Sequence, residues 1–145
     1  MSHPGNAPEA VTQALTLDLV DAYGVSPVEA ELEYDPTCPY AVTVRFAGGN
    51  APVSWTFARD LLRLGRFQPV GEGDVHVRPE LDQDGNAILV VELHSPYGAA
   101  LLHAPARDVN EFVDRTAILV RPGAESSFMD LDATIAAVLV GAQAD

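Results

Sequence analysis

The segment PVEAELEY, residues 27–34, alternates small or apolar residues with glutamates. In an extended chain successive side chains point to opposite faces. Val28, Ala30, Leu32 and Tyr34 therefore share one face, and Glu29, Glu31 and Glu33 share the other. The pattern predicts a strand with one face on a core and one in water. Antiparallel sheets allow this, whereas parallel sheets covered on both faces do not.

The rest of the chain follows the same logic. TLDLV (16–20) predicts a first strand, with Leu15, Leu17 and Leu19 on one face. YAVTVRF (40–46) predicts a third and VSWTF (53–57) a fourth, the latter placing Val53, Trp55 and Phe57 together. A short helix over roughly 58–65 follows, with Leu61 and Leu62 as its apolar stripe and Gly65 as its stop. QPVGEGD reads as a loop before a strand at VHVRP (75–79). DQDGN (82–86) is a hairpin signal leading into AILVVELH (87–94), and SPYG turns that strand into AALLHA (99–104). Pro105 opens a second helix with Val109, Phe112, Val113 and Ala117 as its buried stripe. RPGAE (121–125) breaks it, and a last helix is expected over about 129–140 with Leu131, Ile135, Val138 and Leu139. The predicted order is ββββ-α-βββ-α-α, an α+β domain. FARDLL and PARDVNEF both place Ala-Arg-Asp at a strand-to-helix step, a match too short to argue a repeat.

Of 145 residues, 1–11 are expected to be a disordered leader, 12–141 a single domain and 142–145 a tail. A chain of this size buries enough surface to need no staple. Its single cysteine, Cys38, allows no internal disulfide. The N-terminal segment carries no basic region and no apolar block, so no signal peptide is expected. The longest apolar runs, AILVV and IAAVLV, are far shorter than the ~20 residues of a membrane helix. A cytoplasmic protein with no direct membrane insertion is the expectation.

The net charge is −13, and all eight basic residues are arginine. Nucleic acid and anionic lipid are both held by neutralising cations, so this balance opposes both. The lack of lysine excludes Schiff-base catalysis and a Walker-type phosphate loop.

Few residues suggest chemistry. His94 and His103 could be cross-strand neighbours, yet no ligand set surrounds them, so no metal is expected. Cys38, between Thr37 and Pro39, reads as a free thiol in a turn. GEGD (71–74) precedes a strand, not a helix, and so reads as a turn and not a phosphate cradle. Asp130 and Asp132 suit the start of the last helix as dipole partners. Glu29, Glu31 and Glu33 form either a solvated face that discourages edge pairing or an acidic docking surface. No catalytic set and no cofactor site is evident, so no enzyme activity is expected.

PVSWTFARDLLRLGR (52–66) concentrates Arg59, Arg63 and Arg66 beside the sole tryptophan. Trp55, Phe57, Leu61 and Leu62, with Phe112, are expected core residues. Asp60 and Arg63 are spaced to pair, and Arg63 and Arg66 near the helix end suit its dipole. Arg59 at the helix start runs against the dipole. It is therefore the first candidate, with Arg63 and Arg66, for a docking patch.

YDPTCPYAVTVRF, WTFARDLLRLG, PVGEGDVHVRP, SPYGAALLHAPA, FVDRTAILVRPGAE and DLDATIAAVL occur in an order that resembles the SsgA-like sporulation and cell division proteins of filamentous actinobacteria. The short length is most like the SsgB type of that family. The resemblance implies a non-enzymatic regulator of sporulation-specific septation, with FtsZ and an SsgA-type protein as partners and the division septum as its location. It also implies a Whirly-like fold of two antiparallel sheets with packed helices, and a homotrimer. The fold analogy keeps a single-stranded nucleic-acid binder as the alternative function.

Overall fold

In the computed structural model, which describes residues 10–47 and 53–128, the alternating segments form two antiparallel meanders. The first comprises β1 (Val11–Asp21), β2 (Gly24–Tyr34), β3 (Ala41–Phe46) and β4 (Val53–Ala58), and runs directly into α1 (Arg59–Gly65). The second comprises β5 (Val70–Glu72), β6 (Val75–Leu81), β7 (Ala87–Ser95) and β8 (Gly98–Pro105), and runs directly into α2 (Ala106–Leu119).

Two expectations about the sheet need correction. The strands form one sheet and not two, in the order β4-β3-β2-β1-β8-β7-β6-β5. The halves are joined where β8 returns beside the end of β1, pairing Asp18 with His103, Leu19 with Leu102 and Val20 with Leu101. A pairing across more than eighty residues leaves no local sign in a sequence. The second meander also has four strands. Val70–Glu72, expected as loop, pairs with Val75–Val77 at the edge of the sheet. Its three residues are too short for an alternation to register.

The unit ββββα therefore occurs twice, and the two Ala-Arg-Asp triplets stand at equivalent strand-to-helix junctions, one residue out of step. Pro105 is the residue before α2 and not its first helical position. The first strand also starts earlier than TLDLV shows, at buried Val11, the last residue of the expected leader. The expected last helix over 129–140 and the 142–145 tail lie outside the described residues.

One core serves both halves. Leu15, Leu17, Leu32 and Val44 from the first meander and Val77, Leu89, Val91 and Leu102 from the second face α1 and α2. Residues of both halves and both helices line one small apolar void of about 30 Å³. The β1 and β2 alternation is as expected, but in β4 only Phe57 is buried: Val53 is exposed and Trp55 only partly buried, because β4 is an edge strand. In α2 the buried stripe is Ala106, Val109, Phe112, Val113 and Thr116, with Ala117 only half-buried. The Thr116 hydroxyl donates to the Val113 carbonyl at 2.7 Å, which removes the cost of burying it.

Gly65 is the last residue of α1, but a left-handed backbone is not what requires a glycine there; packing is. Gly65 is absent from the glycines with positive φ, and a Cβ there would meet the Val77 side chain, with Val77 Cβ at 2.8 Å. The helix backbone thus lies directly on β6. Gly65→Ala is expected to lower stability by about 1–3 kcal/mol, the usual cost of overpacking, measured by urea unfolding. An unchanged midpoint would contradict this close approach.

Candidate functional site

The corner from β4 into α1 carries the three arginines, and the structure gives them different tasks. Arg59, the first residue of α1, is 1% exposed. Its Nη1 donates to the Val120 carbonyl at 2.7 Å and the Thr116 carbonyl at 3.2 Å. Its Nη2 donates to Glu125 Oε2 at 2.7 Å. The guanidinium carbon lies 4.9 Å from the centre of the Tyr34 ring, a cation–π contact.

This arrangement explains a residue that opposes the dipole of its own helix. Thr116 and Val120 present carbonyls at the C-terminal end of α2, where the dipole is negative; the Thr116 carbonyl also accepts the Val120 N–H, whereas the Val120 carbonyl lies beyond the reach of helical donors. That last turn has no basic residue of its own. Arg59 supplies the charge from another element, and Glu125 supplies the counterion. The other Glu125 oxygen accepts the Gly123 N–H at 2.8 Å, which closes the turn after α2. Among the buried side-chain polar atoms of the described residues, Arg59 Nε–H alone has no partner.

Burial by itself would raise the Glu125 carboxyl, but the hydrogen bonds from Arg59 and from backbone N–H groups, with the Arg59 charge, hold it below the usual glutamate range. Burial pushes the Tyr34 hydroxyl up to about 12 despite the opposing Arg59 charge. That hydroxyl donates to the Pro39 carbonyl at 2.9 Å. Arg59 is therefore not on a docking surface. It joins α1, α2, β2 and the 121–125 turn.

Arg63 pairs with Asp60 at 3.0 Å on the surface, as the spacing predicts. Arg66 is mostly covered. Its Nε donates to the Arg63 carbonyl at 3.2 Å, its Nη1 lies 3.5 Å from Asp114 on α2, and it stacks over Phe67. The equivalent of Arg59 in the second half, Arg107, is exposed. It sits one position further into its helix, and one residue rotates a helical side chain by about 100°.

Glu29, Glu31 and Glu33 lie on the outer face of β2, which is flanked by β1 and β3 and is not an edge. The row therefore cannot guard against edge pairing. Glu29 accepts from the Thr16 hydroxyl at 2.7 Å and Glu33 pairs with Arg45 at 2.6 Å. His94 and His103 are not cross-strand partners: His94 lies opposite Ala99, and His103 opposite Val90 and Asp18. His94 instead meets His76 edge-on, ring centres 5.8 Å apart, with Glu92 at 3.5 Å. Among the described residues no group of three His, Cys, Asp or Glu side chains is placed to hold a metal ion. Cys38 is exposed in the β2–β3 turn, and Gly73 of GEGD has φ +60° in the β5–β6 turn. Asp130 and Asp132 lie outside the described residues.

Sequence reasoning missed Tyr34, Thr116, Val120 and Glu125 as members of a polar network. The one available signal was Arg59 itself, unexplained by its own helix.

A family model described as Streptomyces sporulation and cell division protein, SsgA, matches residues 28–125. The chain is 47% identical over 111 residues to the sporulation-specific cell division protein SsgB of Kineococcus radiotolerans, covering 76% of this chain and 67% of that one. It is 42% identical to SsgB of Frankia casuarinae over 135 residues, covering 92% and 94%. Among solved structures, the SsgA-like sporulation-specific cell division protein of Thermobifida fusca superposes with a TM-score of 0.82 at 37% identity, covering 94% of this chain and 98% of that one. A structure from work on SsgB mutations and longitudinal cell division during sporulation of Streptomyces coelicolor gives 0.78 at 42%, covering 88% and 99%.

Proposed function

The chain belongs to the SsgA family of sporulation and cell division proteins, and from that premise we propose that it is a non-enzymatic scaffold that positions or recruits the FtsZ division machinery at septum sites. The observation that carries this reading is how the polar side chains are used. Arg59 and Glu125 are buried in the fold, and Arg45, Arg63, Arg66 and Arg78 are paired with carboxylates. What faces outward is acidic strand surface, isolated large apolar side chains, among them Phe67, Leu81 and Ile118, and three arginines, Arg107 and Arg115 of α2 and Arg121 just after it. Such a surface suits contacts with proteins. The acidic strand surface does not suit a nucleic-acid groove, which needs cations along its length.

A homotrimer that is cytoplasmic and concentrated at the septum completes the proposal. No helix among the described residues is long and apolar enough to cross a membrane. The test is direct. The purified chain is titrated against FtsZ and against an SsgA-type protein, with sedimentation equilibrium on the chain alone. Saturable association with at least one of them and a mass of three chains are expected. Association with neither would overturn recruitment, and a monomer would overturn the trimer.

A further inference from the structure

Two hairpin tips of the same build stand side by side at one end of the sheet. Asp21 pairs with Gly24 across the two-residue loop Ala22–Tyr23, and Ser95 pairs with Gly98 across Pro96–Tyr97. The glycine after each tyrosine takes positive φ, +131° at Gly24 and +140° at Gly98. Each tyrosine N–H is held by the side chain two residues earlier, by Asp21 Oδ1 at 2.8 Å and Ser95 Oγ at 3.2 Å. β1 and β8 are neighbours, so the seam that closes the sheet also brings the two tips together.

Both rings stand in water. Tyr23 is 100% exposed and Tyr97 is 99% exposed. Tyrosine is amphipathic and loses little side-chain entropy on binding, which is why it is favoured at protein interfaces. Between the hairpins lies an open hollow of about 250 Å³, with Ala22, Ala99 and Ala100 leaving room and Asp21, Glu92 and His94 on its walls. The surrounding segments 20–25, 71–76 and 92–101 contain four carboxylates, Asp21, Glu72, Asp74 and Glu92, and no arginine; Glu92 is paired with Arg78 of β6 at 2.6 Å, which leaves the negative charge of the rim to Asp21, Glu72 and Asp74.

We propose that the paired tyrosine tips and the hollow between them form a docking surface for an arginine- or lysine-bearing segment of a protein partner. The rings offer their faces to a cation and its apolar stem, the Asp21 side supplies charge, and the hollow accepts the side chain. The acidic rim steers basic partners and repels acidic ones. Phosphate-bearing partners, nucleic acid or anionic lipid, meet the same repulsion.

The proposal takes the chain as a contact protein and assigns the chemistry of one partner. Its test uses the full chain and a fluorescent peptide of alternating arginine and glycine, with a glutamate–glycine peptide as control. Amide shifts are expected to concentrate at 20–25 and 92–101 and to weaken as salt rises. The Tyr23→Ser/Tyr97→Ser double variant is expected to bind at least tenfold more weakly, and Phe67→Ser/Ile118→Ser to bind like the parent. Both variants change exposed side chains, so both are expected to fold.

Equal binding by the tyrosine variant would overturn the proposal. So would shifts spread across the Glu29–Glu31–Glu33 face, tighter binding of anionic vesicles than of the peptide, or a change in oligomeric state that places a second copy on the tips. If the peptide fails to bind while FtsZ association persists, only this surface is lost. If FtsZ association fails in the parent chain, the recruitment reading is lost.

Discussion

Replacing Arg59 by alanine is expected to lower the unfolding free energy by about 3–5 kcal/mol, measured by urea denaturation. The substitution leaves the Glu125 carboxylate buried without its countercharge. It also removes the donor to the Val120 carbonyl at the end of α2, while the Thr116 carbonyl keeps the Val120 N–H at 2.9 Å. Leaving a buried acceptor unmet costs its full desolvation penalty, not merely a net hydrogen bond. Arg59→Lys keeps the charge but lacks the planar fork that reaches the carbonyls and the carboxylate together, so an intermediate loss is expected. Arg63→Ala, which opens an exposed pair, is expected to cost less than about 1 kcal/mol. Equal effects from Arg59→Ala and Arg63→Ala would show that burial of the first pair has no energetic consequence.

The same pair sets a pH dependence. Because Glu125 titrates lower when folded than when unfolded, its contribution is fully present above the ordinary glutamate range and is lost as pH falls through the lower folded value. The parent chain should therefore lose stability on acidification through that window. Arg59→Ala should show a shallower slope there, since the hydrogen bond and charge that depress Glu125 are gone.

What could be read from sequence was what depends on neighbours in the chain. The period-2 pattern of 27–34 located β2 and its faces, DQDGN located a hairpin that the structure closes with Gly85 at φ +83°, and the spacing of Asp60 and Arg63 located an ion pair. The exceptions were set by partners far along the chain. Arg59 finds Glu125 sixty-six residues away, β1 finds β8 across a three-pair seam, and Gly65 meets Val77. Local spacing carries no information about such meetings. Arg59 shows how a local rule fails usefully. It violated the dipole preference of its own helix because it serves the dipole of another. The family resemblance could be read from six ordered motifs, yet it did not foretell which side chains hold the fold and which face outward.

Phe112→Ala is expected to cost about 3–5 kcal/mol in the same unfolding measurement, through lost transfer energy and the cavity left behind. Phe112 is 0% exposed on the face of α2 that packs on the sheet. Ile118, six residues later on the same helix, is 84% exposed. Ile118→Ala should fall within about 0.5 kcal/mol of the parent, because it removes little buried area and introduces a better helix former. Similar losses at both positions would mean that the outer face of α2 is covered, and a second copy would then be its natural cover. Phe112 also lies one turn before Thr116, whose carbonyl accepts from Arg59. Both substitutions loosen the same end of α2, so Arg59→Ala/Phe112→Ala should lose less than the sum of the single losses. Strict additivity would show instead that the apolar and ionic attachments of α2 act independently.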